Sequence, residues 1–341
     1  MTLTSCICGS TFMEDNYVGI DLVSRDSLAV DQALPLVLSP SQQILDVFAW
    51  LRRHRRLFVD HLQKRGAILL RDFATGTVEE FHNLISIVFS ELLEYRERSS
   101  PRSEVAERIY TSTDYPASQH ILPHNEHSYS RVVPSKLAFW CHIPAERGGE
   151  TPLVDTRKVY ARIDPSVRDK FQRLGWMYTR NFDKAVGLPW QQVFQTTNRS
   201  EVESYCDRSA IQCEWKSDDT MRTRQIRPAI IRHPETSEIS WFNHVAFFHV
   251  SSLPDVVQSA LRREYKEEDL PNNTYYGDGS QIGDDVVEHL RECYQREMIT
   301  FTWHKRDVLF VDNIVTAHAR NAFVGPRRIL VALSDPIMRT G

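Results

Sequence analysis

"SKLAFWCHIPAERGGETPLVDT", Ser135 to Thr156, is where the fold is decided. It reads as a short strand, a Pro- and Gly-rich turn, and a second short strand. The paired glycines invite comparison with a phosphate-binding loop. However, "GGET" lacks the GxGxxG spacing, and GxxxxGK[ST] occurs nowhere in the chain. A doubly wound nucleotide-binding sheet also needs strand and helix to alternate regularly. Here the texture is different.

Outward from that stretch, short strands and turns recur. Upstream stands "RIYTST" (108–113). Downstream are "WMYTRNF" (176–182), "AIIRHP" (229–234), "EISWFN" (238–243), "FTWHKRDVLFVDN" (301–313) and "RRILVALS" (327–334). Helical patterns interrupt at 164–173, 199–208, 254–265 and 283–297. Before residue 104 the chain is more helical. Ser39 is placed to cap, Pro40 to start a helix and Gln42 to complete a capping box. Ile44, Phe48, Leu51, Phe58 and Leu62 follow at helical spacing, and Gly66 ends the pattern. "AILLRDF" (67–73) reads as a buried strand. A helix over 78–93 would put Phe81, Leu84, Ile85 and Phe89 on one face. The expected fold is mainly β with helices (α+β), a jelly roll or barrel under helical cover. Residues 1–38 form an irregular lead-in and 39–341 one domain.

Composition narrows the function. The chain has 341 residues, 41 basic and 45 acidic, with net charge −4. That balance gives no reason to expect a nucleic-acid or membrane-surface binder. The first 20 residues hold Glu14, Asp15 and no basic residue, so no signal peptide is evident. No apolar run approaches a membrane span. The expected location is the cytoplasm, with Cys6, Cys8, Cys141, Cys206, Cys213 and Cys293 as free thiols. "RRHRR" (52–56) reads as a solvated helix face, or as a docking patch for an acidic partner.

The chemistry gathers in "LPHNEHSYS" (122–130). Taken as extended chain, it points His124, Glu126 and Ser128 one way and Asn125 and His127 the other. His-x-Glu on one face offers an imidazole and a carboxylate to one cation, and a third ligand must come from elsewhere. His120 and His124 would pair on a helix, but Pro116 and Pro123 argue against one. Among the thirteen histidines His318, just past the strand-like "VLFVDN", is an attractive candidate, since residues at a strand end can face a cavity. Two histidines and a carboxylate form the facial triad of non-heme iron(II) oxygenases. His₂Glu also builds catalytic zinc sites, although HExxH is absent. By itself His-x-Glu is weak evidence.

The company it keeps is more specific. "LPHNEHSYSRVVPSKLAFWCHIPAERGGETPLVDTRKVY" and "FTWHKRDVLFVDNIVTAHARNAFVGPRRILVAL" resemble the taurine-dioxygenase/clavaminate-synthase-like (TauD/TfdA) family of Fe(II)/2-oxoglutarate-dependent oxygenases, nearest its natural-product hydroxylases. "YTSTDYP", "GWMYTRNF", "EISWFNH" and "TYYGDGS" extend the likeness from about residue 40 to 338. The resemblance implies a double-stranded β-helix (cupin-like jelly roll), with His124, Glu126 and His318 as iron ligands. It implies Thr151 and Arg328 as partners of the distal carboxylate of 2-oxoglutarate. A guanidinium suits that role because it meets a carboxylate with two parallel hydrogen bonds. The further arginine of the taurine branch, four positions along the strand, is replaced by Ala332, and the usual glycine after the distal histidine is Ala319. Glu126 stands where halogenases carry a small residue, which argues for oxygenation. The implied reaction is C–H hydroxylation of an amino acid or amino-acid-derived metabolite, free or tethered to a carrier protein. It consumes 2-oxoglutarate and O2 and releases succinate and CO2. Desaturation, ring closure or catabolism of a taurine-like anion are the alternatives. A binding protein with a vestigial site is the non-enzyme alternative. Asn243 and Arg320 are candidate substrate contacts, set against a turn-capping role for Asn243 and a supporting role for Arg320. Trp241 and Phe242 read as core, His244 and His249 as ordinary buried histidines, and Asp312–Asn313 as shaping the turn before His318.

Overall fold

The central strands carry apolar residues at consecutive positions because both faces of their sheet are covered. In the computed structural model, Leu137, Phe139, Cys141, Leu309, Val311, Ile329, Val331 and Leu333 pack on one face. Ala138, Trp140, Val308, Phe310, Leu330 and Ala332 pack on the other. Residues 23–26, 34–40, 46–94, 103–112, 115–182, 187–216 and 220–339 are described, the first of these segments by its main chain only.

These strands belong to an eight-stranded sheet. Its order is Val23–Asp26, Leu36–Pro40, Ala67–Leu70, Val308–Asp312, Val132–Ile143, Arg328–Met338, Ile109–Thr111 and Glu104–Ala106. Only Leu36–Pro40 and Ala67–Leu70 run parallel; the other neighbours are antiparallel. A four-stranded antiparallel sheet lies on its inner face, ordered Met298–Ile299, Leu153–Asp155, Thr316–Arg320 and Ile121–His124. Leu153 of this smaller sheet joins Phe139, Val331 and Trp303 in the shared core. Its outward residues Val154 and Ala317 pack beneath Trp241, Val159 and Leu290. The two sheets form the double-stranded β-helix.

Two helices cover the outer face of the large sheet. Val47–Arg65 places Trp50, Leu51, Phe58 and Leu62 against it, and Val78–Val88 adds Phe81, Leu84, Ile85 and Val88. The first helix starts later than the sequence led us to expect. Asp46 is the cap, accepting from Phe48 N at 2.9 Å and Ala49 N at 3.1 Å. Ser39 and Pro40 lie instead in a strand, so the expected boundary at 38–39 falls inside Leu36–Pro40. Gln42 and Ile44 lie outside the described residues, as do Cys6 and Cys8. The second helix stops at Val88 rather than 93, where Arg55 of "RRHRR" donates to the carbonyls of Ile87 (2.8 Å) and Val88 (3.0 Å). Gly66 ends the first helix at φ +85°, and a Cβ there would lie 2.3 Å from Thr316 Oγ1. Thr316 instead donates to the Gly66 carbonyl at 3.0 Å, which fixes the start of the strand bearing His318.

The expected later helices appear as Pro165–Leu174, Arg199–Arg208, Asp255–Glu264 and Asp284–Arg296. "FTWHKRDVLFVDN" is a strand only over Val308–Asp312. A second four-stranded sheet, ordered Gln212–Trp215, Met221–Arg227, Trp176–Phe182 and Asn272–Tyr276, stands beside the barrel. Among the described residues no helix is long and apolar enough to cross a membrane.

Candidate metal centre

His318 and His124 face each other across two hydrogen-bonded strands, their Cα atoms in register and their rings 4.4 Å apart. Direct cross-strand partners bring their side chains together. Glu126 Oε2 lies 3.8 Å from His318 Nε2 and 4.0 Å from His124 Nε2. One donor atom from each of the three buried residues falls within 4.8 Å of the others. His124 Nδ1 is 2.8 Å from the Leu122 carbonyl, which can only accept, so the proton sits there and the Nε2 lone pair faces the other two donors.

Strand alternation is not what separates the histidines of "LPHNEHSYS". The strand ends at His124, and Glu126 and His127 lie in the turn that follows. His127 takes the left-handed conformation (φ +56°), and its Nε2 reaches within 3.7 Å of Glu126 Oε1. It therefore flanks the carboxylate rather than facing away. Asn313 holds this turn. Its Oδ1 accepts from Glu126 N at 2.8 Å, and its Nδ2 donates to the carbonyls of Glu126 (3.0 Å) and Pro134 (2.7 Å). The preceding Asp312 is buried against Lys136 (3.3 Å) and His233 (3.1 Å) and accepts from Ile314 N. The pair thus shapes the turn before His318, as expected, and the turn of Glu126 as well.

Beside the histidines is a cavity lined by Ser112, Phe139, Thr151, Arg320, Arg327 and Ile329, among others. Here the sequence reading needs a correction. Arg328 is exposed, on the parity of Leu330 and Ala332, whose side chains meet the covering helices. Arg327, the residue before the strand, enters the cavity beside Ile329 and Val331. Its Nε donates to the Gly149 carbonyl at 2.9 Å, and its Nη atoms lie 3.4 Å from Ser112 Oγ and Thr151 Oγ1. Counted from Arg327, the position four residues along is Val331 rather than Ala332. Thr151 Oγ1 accepts from Trp303 Nε1 at 2.9 Å, which leaves its own proton to donate.

Two arginines in one closed cavity are costly without an anion. Burial, and then neighbouring Arg320, push the Arg327 guanidinium down to about 10. Burial also lowers Arg320. Among the described lining residues there is no carboxylate. The donors therefore fit the expected groups. Nitrogen and carboxylate ligands suit iron(II), and the cationic, hydroxyl-bearing end suits a carboxylate of 2-oxoglutarate.

The two expected substrate contacts are occupied with structural work. Asn243 Nδ2 donates to the Ala229 carbonyl at 2.8 Å, and its Oδ1 accepts from Val245 N at 3.0 Å, so it caps a turn. Arg320 donates to the carbonyls of Tyr115 (3.0 Å), Pro116 (2.7 Å) and Gln119 (2.9 Å), which straps that loop beside the cavity. His244 is buried, 2.5 Å from Ser128 Oγ and stacked on Phe248. Burial, and then His124, push its imidazole well down. The sequence reading missed Trp303, Ser112 and the reach of Asn313 to Glu126, because each acts from coil or a strand end with no periodic signal.

Comparison with known proteins agrees with this architecture. The family model "Taurine catabolism dioxygenase TauD, TfdA family" matches residues 34–333. The chain is 42% identical to the dapdiamide synthesis protein DdaC of Enterobacter agglomerans over 276 residues, 81% of this chain and 84% of that one. It is 27% identical over 317 residues to a clavaminate synthase-like protein of Arabidopsis thaliana, covering 88% and 93%. Among solved structures, PvcB of Pseudomonas aeruginosa superposes with a TM-score of 0.57 at 15% identity, covering 94% of this chain and 93% of that one, a likeness of fold. The chain belongs to the TauD/TfdA family: it is a dioxygenase that uses iron(II), 2-oxoglutarate and O2.

Proposed function

We propose that the protein hydroxylates an amino acid or amino-acid-derived metabolite in the biosynthesis of a natural product, with His124, Glu126 and His318 holding the iron. Thr151 and Arg327 hold the distal carboxylate of 2-oxoglutarate. The observation that carries the reading is the convergence of the three ligand atoms beside a cavity whose charged side chains, among the described residues, are all cationic. Iron(II) supplies the oxygen-activating chemistry, coupled to decarboxylation of 2-oxoglutarate to succinate and CO2. The chain's own residues orient and exclude. Leu122 fixes the tautomer of His124, Asn313 sets Glu126, and the apolar wall of Phe139, Ile329 and Val331 keeps water from the cosubstrate. The biosynthetic setting draws on the 42% identity to a protein named for dapdiamide synthesis.

Anaerobic addition of iron(II) and 2-oxoglutarate should give a weak visible charge-transfer band. His124→Ala should lose it, and a full-strength band in that variant would remove His124 from the ligand set. Release of sulfite from taurine-like sulfonates would favour a catabolic role instead. Carrier tethering stays within the proposal. Arg52, Arg53 and Arg56 are exposed on the first helix and would offer positive charge to an acidic carrier, whereas Arg55 is spent on the neighbouring helix. Arg52→Glu/Arg56→Glu should slow turnover of a carrier-loaded substrate alone; equal loss with a free substrate would end the docking idea. A reducing cytoplasm suits both iron(II) and the free thiols at Cys141, Cys206, Cys213 and Cys293.

A further inference from the structure

A second cavity of about 330 Å3 adjoins the first. Its floor is the Ile121–His124 strand with Ala319, and its walls are Phe247 and, from the Asp284–Arg296 helix, Arg291 and Tyr294. Ile121 and Ala319 line both cavities, and the Phe247 ring lies 4.9 Å from that of His124. A molecule seated here therefore sits next to the metal ligands while the first cavity is filled. Its volume is within the usual range for small-molecule sites.

The charge of this cavity is already balanced. Among the described residues, Arg291 is the one Lys or Arg in its lining and no carboxylate lines it. The Arg291 guanidinium is paired with Glu288, with Nε 3.1 Å from the carboxylate. Its Nη1 donates to the Ser251 carbonyl at 2.7 Å and to Ser252 Oγ at 3.0 Å. Arg320, on the far side of the shared wall, is committed to three backbone carbonyls. A free carboxylate or sulfonate entering here would lose water and gain no uncommitted cation, an unfavourable exchange. Tyr294 is different. It is 5% exposed, it lines the cavity, and among the described residues its hydroxyl has no hydrogen-bond partner. Burial pushes the phenol well above its ordinary range, so it stays a neutral donor.

We propose that this cavity receives the substrate's reacting segment and selects a neutral, largely apolar acyl or amide segment, with Tyr294 donating to its carbonyl. The inference rests on the oxygenase assignment above and sharpens it: the carboxyl of an amino-acid-derived substrate arrives masked, as an amide or thioester.

The test uses the full chain with iron(II) and 2-oxoglutarate. Succinate release above the substrate-free rate is measured for N-acetyl amino-acid N-methylamides, for the parent free amino acids and for taurine. The capped amides should stimulate at least tenfold more than the free acids. Tyr294→Phe should raise the half-saturating amide concentration about tenfold, the worth of one hydrogen bond, with that for 2-oxoglutarate within about twofold. Ala246→Trp, which fills the cavity, should abolish stimulation. Free acids or taurine acting as strongly as the amides would overturn the proposal. So would an inert amide set, or an unchanged Tyr294→Phe. Absence of the 2-oxoglutarate band in the wild type would instead remove the assigned iron and cosubstrate residues. With the band present, any of these failures counts against this inference alone.

Discussion

Exchanging each of the two adjacent arginines for methionine separates the observed placement of Arg327 from the reading by family spacing. Burial lowers Arg327 from its ordinary 12.5 to about 10, which corresponds to roughly 3 kcal/mol of unfavourable charge burial. The ligand-free protein bears that cost, and a bound carboxylate relieves it. Each charged hydrogen bond to the carboxylate is worth about 1.5–3 kcal/mol, and the guanidinium offers two. Arg327→Met should therefore weaken 2-oxoglutarate by about 3–5 kcal/mol, on the order of a hundred- to several-thousandfold. The stability of the ligand-free protein should hold or rise, because the bonds to Gly149 and Ser112 are lost together with the buried charge. Arg328→Met, on the exposed parity, should change both quantities by under about 0.5 kcal/mol. The assays are an anaerobic titration of the iron(II) protein with 2-oxoglutarate, and urea unfolding with and without the cosubstrate. At a hundred times its Kd, 2-oxoglutarate should stabilise the wild type by about 2.7 kcal/mol, and this gain should vanish in Arg327→Met. Loss of binding in Arg328→Met with retention in Arg327→Met would refute the assignment of Arg327. Unchanged affinity in both would refute the cationic cavity as the cosubstrate site.

Two further outcomes follow from the surroundings of the site. Asn313→Ala removes the acceptor for Glu126 N and the donors to Glu126 and Pro134, so it should destabilise the fold by about 2–4 kcal/mol. It should also weaken iron(II) at least about tenfold in competition with a chelator, since partners of metal ligands commonly matter that much; iron affinity at the wild-type level would show that Glu126 is held without it. His249 is buried, and burial lowers it from 6.5 to about 4. The unfolded chain takes up this proton near pH 6.5 and the folded chain only near pH 4, so stability falls as pH drops through that window, by on the order of 2–3 kcal/mol from this group. Asp284, lowered chiefly by its hydrogen bond to Arg262, contributes its own loss below that window. His249→Asn should flatten the slope of urea midpoints between pH 7 and 4.5, and an unchanged slope would place the charge effect elsewhere.

How far the sequence could be read depended on whether a signal was periodic or positional. Helix faces such as Leu51–Phe58–Leu62 and Phe81–Leu84–Ile85 were legible because burial on one side of a helix leaves a repeat. Helix starts were less so. Ser39-Pro40 carries the chemistry of a cap, but the Leu36–Pro40 strand pairs with Ala67–Leu70, and that tertiary contact outweighs a local preference. The site divides in the same way. His124 and Glu126 stood out as a local triplet and His318 as a candidate past a strand, but only the family resemblance joined them into one ligand set, and the turn that presents Glu126 was invisible. The choice between Arg327 and Arg328 needed a different fact. "RRILVALS" is apolar on both parities because one face meets the opposite sheet and the other meets the helices. Hydrophobicity along such a strand identifies no inside. Only neighbouring strands set the parity: Ile329 pairs with Cys141 and Val331 with Phe139, and both partners point inward. The register carries only as far as Ile329, because the pairing shifts between Arg328 and Ile329 and Arg327 precedes the strand; its place in the cavity is held by its bonds to Gly149, Ser112 and Thr151. The arginine proposed to meet the cosubstrate thus sits just where the pairing that builds the barrel breaks off, and local hydrogen bonds rather than strand alternation aim it inward.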